Sequence, residues 1–190
     1  MSRNVILVVA LAVMGITGAL AQPPNASRVA ILWDPGYSDF AADWARLRAS
    51  AQSLGVTLLP VEAKNPAEFE ASFATMVAMR ADALITFSDA AGYFHRQRLA
   101  DLAFQHRLAM MTPFQETTSA GGLISYGPSI LELVRHSAVF IDRILKGTKA
   151  GDIAIEQPTK FDLVINLKTA KALGLTVPQS LLLRADEVIE

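Results

Sequence analysis

Short apolar runs alternate with helix-period segments from residue 28 onward, and this order is the strongest constraint on the fold. The runs are rich in Val, Ile and Leu. The segments between them carry apolar residues at spacings of three and four, the period of an α-helix. Strands and helices that alternate in this way build β-α-β units and a parallel sheet covered on both faces. The order therefore predicts an α/β fold, with a three-layer α/β/α arrangement around a mainly parallel sheet.

The apolar runs and the turn signals between them define the expected elements. We expect strands at residues 28–33, 56–61, 83–87, 108–111, 122–125 and 161–165. Helices are expected at 38–54, after a capping box opened by Asn65, after Ser88-Asp89, at 130–146 and after Asn166. The side chains of the second helix expected to face the core are Phe69, Phe73, Met76 and Val77.

The first residues, MSRNVILVVALAVMGITGALAQPP, are typical of a secretory signal peptide. Arg3 supplies the positive charge, an uncharged apolar run covers residues 5–20, and Ala19-Leu20-Ala21 is a small-x-small cleavage site. We expect cleavage after Ala21, a linker at 22–27 and a periplasmic location. The alternative is an uncleaved membrane anchor, for which the run is short of the roughly 20 residues that span a bilayer. The sequence has no cysteine, which excludes disulfides and a lipid-anchored N-terminus.

The charge and the chemistry-bearing residues argue against several function classes. A formal net charge of −1 with scattered basic residues gives no footprint for nucleic acid. The histidines at 95, 106 and 136 lack metal-ligand spacing, so we expect no metal site. No nucleophile elbow and no glycine-rich nucleotide loop is present, so we expect no catalytic residue and no cofactor.

Polar and aromatic residues follow several of the predicted strands. In open α/β sheets, ligands bind at the carboxyl ends of the strands. The candidate ligand-binding residues at that edge are Asp34, Tyr37, Ser38, Ser88, Asp89, Thr112, Phe114, Gln115, Ser125 and Tyr126. Carboxylates, hydroxyls, an amide and aromatic rings suit a small polar ligand with an apolar part. The alternative is that the aspartates and serines only make turn and helix-capping hydrogen bonds.

The segment 130–146 predicts a strongly amphipathic helix. One stripe carries charged and polar residues, and the opposite face is broad and apolar. A face of this kind has to be buried against a partner.

Several long motifs resemble one bacterial family. TPFQETTSAGGLISYGPS, IDRILKG and EQPTKFDLVINLKTAKALGLTVPQSLLLRADEVIE are similar to the C-terminal part of ABC transporter substrate-binding proteins. That family is the tryptophan/phenylalanine-binding, sugar-binding-like type I periplasmic class. RVAILWDPG, GVTLLPVEAKNPAEFEASFATM and ADALITFSD resemble the start of the family's second lobe. The resemblance implies a periplasmic-binding-protein type I-like fold for residues 28–190, as a single second lobe.

The resemblance also implies departures from the full family pattern. A full member has a first lobe before the segment that begins at Arg28, and we expect that lobe to be missing here. The usual asparagine of the first motif is Asp34, and the usual arginine of the PFRE segment is Gln115. In the family, the helix at 129–147 packs on the first lobe. Its apolar face is then expected to fold onto the remaining lobe, to pair with another chain, or to stay exposed.

Three functional hypotheses remain open from the sequence. The first is an extracytoplasmic solute receptor, not an enzyme, which delivers a small molecule such as an amino acid to an ABC permease in the inner membrane. The second is a truncated half-receptor that is not competent for uptake, because a one-walled cleft encloses little of a ligand. The third is a small secreted enzyme that uses Asp34, Ser88 or Asp89, for which the sequence offers no base–nucleophile motif.

Overall fold

A computed structural model of the chain describes residues 27–36, 40–87 and 90–190. The strands are Arg28–Trp33 (β1), Thr57–Glu62 (β2), Ala83–Thr86 (β3), Ala109–Thr112 (β4), Ile124–Gly127 (β5), Asp162–Asn166 (β6) and Glu187–Ile189 (β7). The helices are Phe40–Ser53 (α1), Phe69–Ala78 (α2), Ala90–Phe94 (α3), Arg96–Gln105 (α4), Gln115–Ser119 (α5), Ile130–Leu145 (α6), Leu167–Leu173 (α7) and Gln179–Leu182 (α8). Two 3-10 turns lie at Pro66–Glu68 and Ala150–Asp152. The predicted signal peptide, its cleavage site and most of the predicted linker lie outside the described residues.

The strands form one sheet in the order β2-β1-β3-β4-β5-β6-β7. Strands β1 to β5 run parallel, β6 pairs antiparallel with β5, and β7 runs parallel to β6. The predicted α/β class and the mainly parallel sheet are confirmed. No sequence pattern predicts β7, α5 or α8, because each is too short to show a period of its own.

Two hydrophobic clusters hold the helices on the sheet, one on each face. Trp44 and Leu47 of α1 pack with the cluster that contains Val29, Ile31 and Ile165. The other cluster joins α2 and α4 to the opposite face of the same strands. Alternate strand residues point to opposite faces, so one short apolar run supplies both clusters.

The start of α2 follows the expected capping pattern. The Asn65 Oδ1 accepts a hydrogen bond from the Ala67 N–H at 2.9 Å, and the Glu68 carboxylate accepts one from the Lys64 N–H at 2.8 Å. Phe69, Phe73 and Met76 are buried as predicted. The prediction for Val77 is wrong, since 47% of this residue is exposed.

The boundary of β5 differs from the prediction in a way that matters for the site. Gly121 has a φ of 123°, a conformation that favours glycine, and the Gly122 N–H donates back to the Thr117 carbonyl at 3.0 Å. The turn therefore occupies residues 121–122, and pairing with β4 begins at Ile124. Ser125 and Tyr126 lie within the strand and not in a glycine turn.

The buried side chain of Asn166, at the end of β6, forms hydrogen bonds with α5 and α7. The Asn166 Oδ1 caps α7 by accepting from the Thr169 N–H at 3.0 Å, as predicted. Its Nδ2 donates to the Thr118 carbonyl of α5 at 3.0 Å. Gly174, with a φ of 75°, ends α7 as expected, with the Leu175 N–H donating to the Ala170 carbonyl at 2.8 Å.

Asn166→Ala is expected to lower the free energy of unfolding by about 2–3 kcal/mol. The variant removes a helix cap and one of the two hydrogen bonds to the Thr118 carbonyl, which still accepts from the Gly121 N–H at 3.1 Å. Urea denaturation followed by circular dichroism measures the change. Ser129→Ala is the matched control, because Ser129 caps the exposed helix α6 by accepting from the Glu132 N–H, and it is expected to cost less than about 1 kcal/mol. Equal losses in the two variants would contradict the role of the Thr118 bond.

Helix α6 forms over the predicted residues but has no buried side chain. One side of it faces the extended segment 153–161 that leads back to β6. There, the His136 Nε2 and the Glu156 Oε2 are 2.7 Å apart. Within the described ranges, no helix is long and apolar enough to cross a membrane.

Candidate ligand site at the carboxyl edge of the sheet

The ends of β4 and β5 approach each other at the carboxyl edge of the sheet. A Cβ placed on Gly127 would collide with the Pro113 carbonyl oxygen and would lie 3.0 Å from the Pro113 carbonyl carbon. Gly127 therefore lets the loop after β4 cross directly over the end of β5. This contact positions Phe114 and Gln115, which follow Pro113 immediately.

Asp34 lies after β1 at the same edge. Its Oδ1 accepts a hydrogen bond from the Gly36 N–H at 2.8 Å, so Asp34 makes a turn hydrogen bond, and its ligand contact stays a prediction. Four further candidates, Tyr37, Ser38, Ser88 and Asp89, lie outside the described residues, and their ligand contacts stay predictions.

An aromatic cluster follows β3 and β4. The Phe114 ring meets the Tyr93 ring edge-to-face at a centroid distance of 5.2 Å, and the Phe94 ring meets the Tyr93 ring at 5.8 Å. The Arg96 guanidinium lies over the Tyr93 ring at 5.1 Å. Phe94 is 75% exposed, which makes it the most open ring of this group. Tyr93 and Phe94, at the end of the helix α3 that follows β3, were not among the candidates from the sequence, although two adjacent aromatic residues after the third strand were a usable signal.

Thr112 is a strand residue and not a loop residue as expected, and Ser125 lies in β5, as the strand expected at 122–125 implied. Thr112 ends β4 and is paired with Ser125 of β5, and both are buried. The Thr112 Oγ1 accepts from the Phe114 N–H at 3.3 Å. Gln115, also expected in a loop, begins helix α5, so the loop after β4 consists of two residues, Pro113 and Phe114.

The segment from α5 to β5 holds buried polar atoms that the described protein atoms do not pair. They are the Glu116 Oε2, the Thr118 Oγ1 and the Ser125 Oγ. Nearly all buried polar groups in proteins are hydrogen-bonded to protein or to ordered water. Thr118 lies toward the amino end of β5, where its carbonyl accepts from the Asn166 amide, so only the Glu116 and Ser125 atoms are candidates for a polar molecule near the carboxyl edge.

Tyr126 points away from Ser125. Successive residues of a strand face opposite sides, and the Tyr126 ring packs against the cluster that contains Ile124 and Ile165. It also stacks on the Phe161 ring at a centroid distance of 5.7 Å. The two residues expected to form one pocket edge are thus on different faces of the sheet.

An open groove of about 970 Å³ lies between α6 and the segment that returns to β6. Gln115 lines the end of the groove that adjoins the carboxyl edge, and Lys160 and Asp162 line the same groove. The Lys160 Nζ lies 2.8 Å from the Asp162 carboxylate, and this hydrogen bond raises the pKa of Lys160 above its ordinary value. In the part of the chain that the structure describes, no cluster of three His, Cys, Asp or Glu side chains could hold a metal ion.

Solved structures with the same fold come from several bacteria. A conserved domain protein from Vibrio cholerae O1 biovar eltor is 22% identical over 85% of this chain and 54% of its own, with a TM-score of 0.78. The ABC domain in complex with L-Trp from Streptococcus pneumonia is 20% identical over 98% of this chain and 60% of its own, with a TM-score of 0.84. CD0873, a substrate binding protein with adhesive properties from Clostridium difficile, solved in a ligand-free, open form, is 15% identical over 100% of this chain and 60% of its own, with a TM-score of 0.67.

These likenesses establish the fold, and the chain spans between 54% and 60% of the length of those three chains. No curated protein matches the chain significantly. A family model described as ABC transporter substrate binding protein matches residues 19–189, which is nearly the whole sequence. The sheet, its flanking helices and this match agree with one another, and the chain belongs to the family of ABC transporter substrate binding proteins.

Proposed function

We propose that the chain is the solute-binding component of an ABC transporter and holds a small molecule at the carboxyl edge of its sheet. The observation that carries the proposal is the open aromatic cluster of Phe114, Tyr93 and Phe94, beside which Ser125, paired with Thr112, holds a buried Oγ that has no partner among the described residues. Polar groups orient a ligand and aromatic groups cover its apolar part. The proposed function includes delivery to a permease in the inner membrane and a periplasmic location.

The proposed contacts divide by chemistry. Phe114 and Phe94 offer aromatic faces, and Tyr93 holds the Phe114 ring in place by its edge-to-face contact. Gln115, at the half-buried start of α5, offers both a donor and an acceptor. Thr112 and Ser125 form the polar floor below them, and Tyr126 supports the floor from the opposite face.

The chemical class of the ligand follows from the combination of aromatic and polar groups at the carboxyl edge. One structural neighbour was solved with L-Trp, and an aromatic amino acid combines a flat apolar side chain with charged polar groups. Amino acids with aromatic side chains are therefore the first ligands to test. Binding makes and breaks no covalent bond, and transport-coupled closure would need a second wall around the ligand.

A second candidate function is a half-receptor that binds weakly and does not support uptake. The single described sheet favours it, because one wall covers much less of a ligand than the 70–90% that is common in binding sites. The resemblance implies that a first lobe supplies the second wall and packs on α6. Sequencing the gene upstream of the codon for Arg28 for an in-frame first lobe separates the two candidates.

Phe114→Ala is expected to weaken binding of an aromatic amino acid about tenfold, because an aromatic contact contributes about 0.5–1.5 kcal/mol beyond its buried area. Isothermal titration calorimetry against a panel of amino acids measures the affinity. Phe104→Ala is the matched control: Phe104 is a half-exposed ring near the end of α4, which precedes the amino end of β4. Equal effects of the two variants, or no heat and no thermal shift across the whole panel, would rule out binding at this edge.

A further inference from the structure

Arg96 borders the aromatic cluster of the candidate site. It is the first residue of α4, and the short helix α3 before it follows the carboxyl end of β3. The guanidinium carbon is 5.1 Å from the centroid of the Tyr93 ring, and the Phe114 ring meets the same Tyr93 ring at 5.2 Å. The guanidinium and the Phe114 ring are therefore within two contact distances of each other. A positive charge accompanies the aromatic rings at this edge of the sheet.

Contacts with Tyr93 hold the Arg96 side chain in place. The Arg96 Nη1 donates a hydrogen bond to the Tyr93 carbonyl at 3.0 Å, and the face of the Tyr93 ring attracts the guanidinium by a cation–π interaction. The residue is half-buried. An arginine that is held in this way has less conformational entropy to lose when it binds a further group.

The contacts with Tyr93 leave the other edge of the Arg96 guanidinium unused. The Nε and Nη2 groups lie on one edge of the planar guanidinium, and the described residues offer no acceptor to either of them. Nor does any carboxylate among the described residues form an ion pair with Arg96. Two parallel N–H groups on one edge are the arrangement with which arginine binds both oxygens of a carboxylate.

Arg98, two residues further along α4, shows what this edge of an arginine binds in the same protein. Its Nε donates to the Glu70 Oε1 at 3.0 Å, and its Nη2 lies 2.6 Å from each of the two carboxylate oxygens. These hydrogen bonds hold the pKa of Glu70 below its ordinary value. Arg28 uses the same edge for the Met79 carbonyl. Arg96 has the same two donors beside the aromatic cluster, where a ligand would supply the acceptor.

We propose that Arg96 binds the carboxylate of an aromatic ligand through its Nε and Nη2. This inference rests on the function proposed above and adds a required charge to the ligand. A ligand ring that packs on Phe114 stands about 4.5–7 Å from it. In an aromatic amino acid, two carbon atoms join the ring to the carboxylate. One small molecule can therefore contact Phe114 with its ring and Arg96 with its carboxylate.

Isothermal titration calorimetry with L-tryptophan, L-tryptophanamide and indole-3-propionate tests the proposal on the ligand side. The parent protein is expected to bind tryptophan about 10- to 100-fold more tightly than the amide, because the amide cannot make the charge-assisted hydrogen bonds. Indole-3-propionate keeps the carboxylate and lacks the amino group. It is expected to bind more tightly than the amide.

Arg96→Gln tests the proposal on the protein side. It is expected to weaken tryptophan binding about 10- to 100-fold and to change the affinity for the amide by less than about twofold. Arg96→Lys is expected to keep part of the preference for the acid, because it keeps the charge without the planar pair of donors. A displacement of Tyr93 alone would weaken the acid and the amide equally, so the ratio of the two affinities separates carboxylate binding from a structural role.

Arg98→Gln is the matched control on the same helix. Because Arg98 is already paired with Glu70, this variant is expected to keep the preference of the parent for the acid. Circular dichroism checks that each variant keeps its helix content.

Equal affinities for acid and amide in the parent, or an unchanged preference in Arg96→Gln, overturn the role of Arg96 and leave the solute-binding function standing. Loss of the preference in Arg98→Gln also overturns that role, because the effect would then not be specific to Arg96. If none of the three compounds binds, the proposal for Arg96 fails. If no amino acid of the wider panel binds either, the proposed function fails with it.

Discussion

Phe73→Ala is expected to lower the free energy of unfolding by about 3–5 kcal/mol. Phe73 is fully buried between α2 and the sheet, and its ring stacks on the His106 ring at a centroid distance of 5.9 Å. The truncation removes the buried ring and leaves a cavity that the rigid sheet cannot close. For a domain of this size the melting temperature is expected to fall by roughly 6–20 °C, which differential scanning calorimetry measures.

Val77→Ala is the matched control for Phe73→Ala on the same helix. Because about half of Val77 is exposed, its truncation is expected to change the free energy of unfolding by less than about 0.5 kcal/mol. Phe73→Leu is expected to fall between the two, because it keeps an apolar side chain in the site. A loss below about 1 kcal/mol for Phe73→Ala would contradict the packing of α2 on the sheet.

Gly127→Ala is expected to have the second large effect, about 3 kcal/mol of lost stability together with weaker ligand binding. The added methyl group would meet the Pro113 carbonyl, which is backbone and cannot rotate away as a flexible side chain could. Either β5 or the loop that carries Phe114 has to move, and inserting a methylene into well-packed structure costs about 1–3 kcal/mol or more. Chemical denaturation and calorimetric titration measure the two parts of the effect.

Gly151→Ala is the control for Gly127→Ala. A Cβ on Gly151 would meet no atom within 4 Å, so this variant is expected to keep both stability and binding. A Gly127→Ala protein with the stability and affinity of the parent would show that the loop after β4 does not cross β5 closely. The arrangement of the candidate site would then be wrong.

Local sequence signals predicted the elements that have strong local causes. Asn65 and Asn166 cap helices through their own side chains, and Gly174 ends α7 in a left-handed conformation that glycine adopts freely. Local signals did not predict features that depend on residues far apart in the sequence. No local pattern shows that β6 runs antiparallel to β5, since that direction depends on where the return segment brings the chain back.

The sequence predicted which edge of the sheet carries the candidate site, but it did not predict how the side chains are arranged there. The sequence placed Phe114 and Gln115 at the carboxyl edge, and the structure places them there. It also expected Ser125 and Tyr126 to share a surface, and the structure separates them because the strand begins after the glycine pair. The strand is shifted by two residues from the expected one, which brings Tyr126 into β5 directly after Ser125, so the two side chains lie on opposite faces.

The sequence by itself determined the alternation of strands and helices, the helix caps and the amphipathic character of α6, because these depend on residues close together along the chain. Only the tertiary structure decided which strands pair, which polar atoms are left buried without partners, and which side of α6 faces outward. Those features depend on elements far apart in sequence. The close approach of Gly127 to Pro113 belongs to the second group, because its physical reason is contact between two strand ends that no local pattern records.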